Sequence, residues 1–180
     1  KTGTLTKGKP EVTDVFGGRE KEILSLAASL ERSSEHPLAE AILDYARKKK
    51  IKLRRISRFM AHSGKGVSAV VGSSKVLVGN RLFMKENRIN YSSLDGEIEN
   101  LENEGKTVVI VAKNRKTGGI IAVADTLKDN SAEAVAELKR IGKKVVMMTG
   151  DNERTAKAIA AKAGIDDVIA NVLPGEKAAR

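Results

Sequence analysis

The 180 residues carry 33 Lys and Arg against 23 Asp and Glu, a formal net charge of +10, with 41% hydrophobic and 31% charged residues. That balance belongs to a folded chain long enough for one sizeable core or two small ones, and it excludes a disordered one. With no Cys, disulfides and thiolate metal sites are excluded too, and an aromatic content of 3% without Trp leaves the core to Val, Ile, Leu and Ala. The longest apolar runs, such as Gly119 to Ala124, are far too short to cross a bilayer, and no signal-peptide or lipidation pattern is visible. The positive charge is compatible with nucleic acid, an anionic membrane surface or a polyphosphate. Nucleic acid fits worst, because the cations are scattered and few aromatics interleave them for base stacking.

Lys1 to Thr6 is short and Thr-rich and contains Gly3, which predicts a tight loop following a strand. Lys7 to Asp14, with Gly8 and Pro10, reads as a linker into a new unit. Ile23, Leu24, Leu26, Ala27 and Leu30 recur at helical spacing and predict a helix over Glu20 to Leu30. Ser33 to Pro37 breaks it, and Pro37 suits the first turn of a second helix running to about Lys49. The cluster Arg47 to Lys50, with Lys52, Arg54 and Arg55, reads as a solvated helix end that complements the helix dipole.

The period then changes. Ile56 to Ala61, Gly66 to Val71 and Lys75 to Val78 are β-branched runs separated by Gly and Ser, and predict antiparallel strands with a hairpin at Gly72 to Ser74. Short helices are expected at about Arg81 to Glu86 and Ser93 to Glu104. Two strong strands, Thr107 to Ala112 and Gly119 to Ala124, flank a turn at Asn114 to Gly118. After them come a helix over about Asn130 to Ile141, a strand at Lys144 to Met148, a helix over about Glu153 to Ala163 and a strand at Val168 to Ala170. This alternation predicts βαβ units on a parallel sheet. The expected architecture is therefore an α+β insert built on an antiparallel sheet, residues 9–117, inside a split α/β domain made of residues 1–8 and 118–180.

Thr149-Gly150-Asp151-Asn152 sits where a strand ends and a helix begins, the edge at which open α/β sheets bind ligands. The helix N-terminus and the Thr hydroxyl suit phosphate oxygens, although Asp151 or Asn152 could be a plain helix cap. Asp125-Thr126-Leu127-Lys128 follows a strand in the same way, and here the reading as a capping segment is the stronger one. His36 could simply orient its loop, Gly64, Gly66 and Gly79 could be hairpin glycines, and Asn80 could be a helix cap. The other histidine, His62, is expected in a surface loop, and two His without Cys argue against a transition-metal site.

Lys1-Thr2-Gly3-Thr4-Leu5-Thr6 resembles the DKTGTLT phosphorylation motif of P-type ATPases without its aspartate, which implies a piece of a longer polypeptide starting after the nucleophile. Thr149-Gly150-Asp151 resembles that family's second phosphate-contacting motif, Asp125-Thr126-Leu127-Lys128 its acidic hinge motif facing ATP, and Pro174-Gly175-Glu176-Lys177 its PxxK segment. Ser34-Glu35-His36-Pro37-Leu38-Ala39 resembles the His-Pro signature of the heavy-metal-transporting subgroup, joined by Gly64-Lys65-Gly66-Val67 and Val78-Gly79-Asn80. The resemblance implies a haloacid-dehalogenase-like phosphorylation domain carrying a nucleotide-binding insert. Glu31, His36, Gly64, Gly66, Gly79 and Asn80 would hold adenine and ribose, with Asp125 near the ribose and phosphates. Lys1, Thr2, Thr149, Gly150, Asp151 and Lys177 would surround the transferring phosphoryl group, with the Thr2 carbonyl on Mg²⁺. It further implies ATP or ADP and Mg as cofactors, and the transmembrane and actuator domains of a cation exporter, with copper as the expected ion, as partners. The piece itself would be soluble and monomeric, part of a cytoplasmic region, and would bind nucleotide without turnover. The alternatives are a haloacid-dehalogenase-type phosphatase and a basic nucleic-acid-binding module.

Overall fold

Three apolar surfaces organise the chain. In a computed structural model that describes residues 1, 3–34 and 36–172, strands β1 (Glu11–Gly17), β2 (Ile56–His62), β3 (Gly66–Val71), β4 (Ser74–Gly79), β5 (Thr107–Lys113) and β6 (Lys116–Ala124) form one antiparallel sheet in the order β1-β6-β5-β4-β3-β2. Alternation along β5 and β6 sends Val109, Val111, Ile121 and Val123 to one face and Val108, Ile110, Ile120 and Ala122 to the other. Helices α1 (Glu20–Glu31) and α2 (Pro37–Lys48) cover the first face, and α3 (Arg81–Glu86) and α4 (Asp95–Asn103) cover the second. Both faces of β5 and β6 are thereby buried, which is why these strands read as continuous apolar runs.

The third core lies apart. Helices α5 (Ser131–Arg140) and α6 (Glu153–Ala163) pack with strands β7 (Val146–Met148) and β8 (Asp167–Ile169), a parallel pair joined through α6. Leu5 and Leu127 pack against the same core, so the chain enters and leaves the insert from this unit. Helix α6 starts at Asn152, whose Oδ1 accepts from the Thr155 amide at 3.0 Å, and ends at Gly164 in a left-handed conformation. No helix among the described residues is long and apolar enough to cross a membrane.

The structure departs from the sequence expectations at three places. Residues 11–14, read as the end of a linker, belong to edge strand β1, which pairs with β6. Only Val12 of β1 is fully buried, so the strand lacks the apolar pattern that would announce it. The boundary placed between 117 and 118 falls inside β6, which pairs along its length with β1 and β5 as a central strand of the antiparallel sheet. His62 is not in a loop. It lies in β2, with Nε2 2.9 Å from the Ser68 hydroxyl and its ring centroid 4.6 Å from that of Phe83.

Two turns explain the hairpins. Gly72, at φ 61°, leads the two-residue connection of β3 to β4, while Asn114 and Arg115, at φ 49° and 65°, form the connection of β5 to β6. A different constraint acts at Gly66 and Gly79, which face each other across β3 and β4. A Cβ on Gly66, where φ is 151°, would stand 2.2 Å from the Val78 oxygen, and one on Gly79 would stand 2.4 Å from the Lys65 oxygen. Gly96 in α4 has nothing within 4 Å of such an atom. In urea unfolding, Gly66→Ala is expected to lose about 2–4 kcal/mol through overpacking and backbone strain, and Gly96→Ala to gain about 0.5 kcal/mol of helix propensity. A tolerated Gly66→Ala would mean that the two strands can separate without cost.

Candidate functional site

Residues from both ends of the chain meet at the carboxyl edge of β7. The turn 149–152 leaves this strand with the Thr149 amide donating to Ile169 at 2.9 Å and the Val172 amide donating to Thr149 at 3.1 Å. The Asn171 amide closes the turn on the Asp151 carbonyl at 2.8 Å. Against it lies the first loop, whose Lys1 main-chain nitrogen donates to the Met148 carbonyl at 3.2 Å. The Lys1 ammonium reaches Asp151 Oδ2 at 2.5 Å, and both side chains are nearly covered.

Asp151 is the focus of this edge. Its Oδ2 also accepts from the Thr149 hydroxyl and its Oδ1 from the Thr107 hydroxyl, each at 3.0 Å. Burial would raise its pKa, but the Lys1 charge and the hydrogen bonds from Lys1, Thr149 and Thr107 outweigh burial and hold the carboxyl below its ordinary value. Its contribution to stability is thus present at neutral pH and lost as pH falls through the depressed value. Such an edge, with an ammonium and a Thr hydroxyl at the mouth of a βα turn, can receive phosphate oxygens.

Asp125 is placed a few residues into the crossing between the two units. Its Oδ2 accepts from the buried Thr6 hydroxyl at 2.6 Å and its Oδ1 from the Gly8 amide at 3.1 Å. The carboxylate therefore ties the outgoing chain to the returning one. Lys128 reaches the Gly3 carbonyl at 2.9 Å from the same crossing.

On the insert, the loop 64–66 and the end of β4 form a single constellation. Asn80 caps α3 by accepting from the Phe83 amide at 2.9 Å, and its Nδ2 donates to the Gly64 carbonyl at 2.9 Å. The Asn80 amide donates to the Lys65 carbonyl, also at 2.9 Å. The close approach that requires glycine at 66 and 79 is thus between two protein strands. Glu31 and His36 lie at the facing ends of α1 and α2, which share a core with Val67 and Val78 of β3 and β4. His36 Nδ1 accepts from the Leu38 amide at 3.2 Å, capping α2 and leaving the exposed ring at the surface.

The structure thus brings Lys1, Thr149, Gly150 and Asp151 together, and Gly64, Gly66, Gly79 and Asn80 together. Thr2 and Lys177 lie outside the described residues. Two clefts of about 470 and 460 Å³ open on the α3 side of the sheet, and none of the nominated residues lines them. Thr107, Glu102 and Thr6 join these groups only through the tertiary structure. Thr107 is a polar residue opening a strand, and nothing local distinguishes it from any other strand start.

Among the described residues Glu31 is the one strongly raised carboxyl. Burial lifts it from 4.5 to about 7, against a weaker opposing hydrogen bond from Ser34. A raised carboxyl pKa stabilises the fold fully below pH 4.5 and loses that contribution as pH rises through about 7. Relative to Glu31→Gln, the parent chain is expected to lose about 3 kcal/mol of urea-unfolding free energy between pH 4.5 and pH 8. Parallel pH profiles for the two proteins would contradict the burial argument.

The profile of the haloacid dehalogenase-like hydrolases matches residues 1–179. The chain is 48% identical over 182 residues to a copper-exporting P-type ATPase of Bacillus subtilis (strain 168), covering 99% of this chain and 23% of that protein. The match to the copper-exporting P-type ATPase of Staphylococcus haemolyticus (strain JCSC1435) is also 48%, over 178 residues, with 99% and 22% covered. The chain therefore spans under a quarter of the length of these relatives. Among solved structures, the catalytic domain of the CPx-ATPase CopB-B on nucleotide binding aligns with a TM-score of 0.73 and 27% identity over 96% of this chain and 59% of that one. A zinc-transporting PIB-type ATPase in its E2.Pi state aligns at 0.67 and 39% identity over 98% and 29%. The N-domain of HMA8, a copper-transporting P-type ATPase, aligns at 0.56 and 30% identity over 63% of this chain and 99% of that domain.

Proposed function

The chain belongs to the haloacid dehalogenase-like hydrolase family, and from that premise we propose that it is the ATP-binding part of a heavy-metal P-type ATPase, with copper as the exported ion. The observation that carries this reading is the Lys1–Asp151 pair, which sets the first loop against the Thr149–Asn152 turn at the carboxyl edge of β7. Copper is favoured over zinc because relatives 48% identical over nearly the whole chain carry the name of copper exporters.

In this reading the insert holds the nucleoside. His36, fixed at its Nδ1 by the Leu38 amide, turns its ring outward where it can stack on or bond to a base. Glu31 can accept from an exocyclic amine once ionised, and Gly64 to Asn80 present a backbone surface close by. The phosphates run toward Lys1 and Thr149, whose ammonium and hydroxyl stabilise charge on the transferring group.

Magnesium would neutralise phosphate charge when bound. Among the described residues no group of three His, Cys, Asp or Glu could hold a metal ion, and Thr2, whose carbonyl the resemblance assigns to it, lies outside them.

Calorimetric titration tests the reading. This chain is expected to bind ATP, and His36→Gln to weaken it at least about tenfold, the equivalent of about 1.4 kcal/mol of lost stacking or hydrogen bonding. ATP affinity indifferent to His36, or absent, would return the chain to the broader phosphatase class of its family. Steeply salt-dependent binding to DNA in its place would favour a nucleic-acid module.

A further inference from the structure

Two of the four residues in the 149–152 turn are oriented from outside their own unit. The Thr107 hydroxyl, at the start of β5, donates to Asp151 Oδ1 at 3.0 Å. Glu102, near the end of α4, is 3% exposed and accepts at Oε1 from Asn152 Nδ2 at 3.1 Å. That amide is the cap of α6, so Glu102 sets the orientation of the residue that starts the helix. Behind it, Arg81 brackets Glu102 with Nε and Nη2, both at 3.2 Å, and Arg154 approaches from α6 at 3.6 Å.

The contact continues past these two residues. The Thr155 hydroxyl donates to the Lys106 carbonyl at 2.7 Å, Lys162 to the Glu104 carbonyl at 2.7 Å, and Arg154 pairs with Glu99 at 2.8 Å. A carboxylate as buried as Glu102 is stable only with its cationic and amide partners in place. Its partners come from both units, so undocking the insert would strip Asn152 and Arg154 from it and Thr107 from Asp151.

We infer that Thr107 and Glu102 are positioning residues supplied by the insert to the phosphate edge, so that the geometry of the 149–152 turn depends on the insert being docked. This rests on the nucleotide-binding reading for its purpose, but not for its test. Thr107 acts through Asp151, and Glu102 acts through Asn152. Neither needs to touch the ligand.

Amide hydrogen exchange on the whole chain, without nucleotide, tests the inference. The Asp151 and Thr155 amides are the reporters, since they donate to Thr149 Oγ1 and Asn152 Oδ1. Thr107→Val and Glu102→Gln are each expected to speed exchange at these two amides about five- to tenfold, the loss of roughly one hydrogen bond. Exchange along β3 and β4 should stay unchanged, and Thr107→Ser should restore the parent rates. Since the chain has no Cys, spin labels at Lys85→Cys and Lys157→Cys can report docking, and Glu102→Gln should broaden their distance distribution.

Unchanged exchange at Asp151 and Thr155 in both variants would overturn the inference. So would Thr107→Ser behaving like Thr107→Val, or loss of protection throughout the sheet. ATP titration of the same samples separates the two claims. ATP binding with no exchange effect defeats only the positioning role, and an exchange effect without ATP binding defeats only the functional reading.

Discussion

One carboxylate fixes how the two units of this chain can relate. Asp125 accepts from Thr6 on the strand of chain leaving the smaller core and from Gly8 two residues later, while sitting on the returning chain itself. Around it the Lys7 amide donates to Thr126 at 2.8 Å and the Lys128 amide donates to Leu5 at 2.9 Å. An insert of more than a hundred residues thus hangs on a two-stranded crossing, with Thr6 completely buried in it. The crossing also carries Leu5 and Leu127 into the third core, so the tie at Asp125 and the packing of that core support each other.

The two candidate halves of the site have opposite electrostatics, each with its own cause. At Glu31, burial at the end of α1 acts almost alone, and the carboxyl is pushed up to about 7. At Asp151, burial pulls the same way but Lys1, Thr149 and Thr107 overcome it. The first environment favours the neutral acid, and the second keeps an ion fixed beside a cation.

The interior strands and the helices were legible because their signals are local. The runs in β3 to β6 bury both faces, and α1, α2 and α6 carry apolar residues at helical spacing, with caps at His36 and Asn152 for the last two. Strand β1 was not legible, because an edge strand with one fully buried residue resembles a loop. The extent of β6 was misjudged because Lys116 and Thr117 look like turn residues, yet they pair with Lys113 and Ala112. His62 was misplaced because its partners, Ser68 and Phe83, come from the next strand and from α3.

What the sequence determined by itself was the set of motifs and their order, since a strand-to-helix turn or a glycine pair at strand ends is written in neighbouring residues. It also determined the fold class through its periodicity. Which groups face one another was decided only by tertiary structure. Lys1 meets Asp151, Thr6 meets Asp125 and Glu102 meets Asn152 across 50 to 150 residues of chain, approximately, and no local pattern encodes such pairings. The reason is physical: a buried carboxylate takes whichever donors the packing of three cores delivers to it, and that packing is a property of the whole chain.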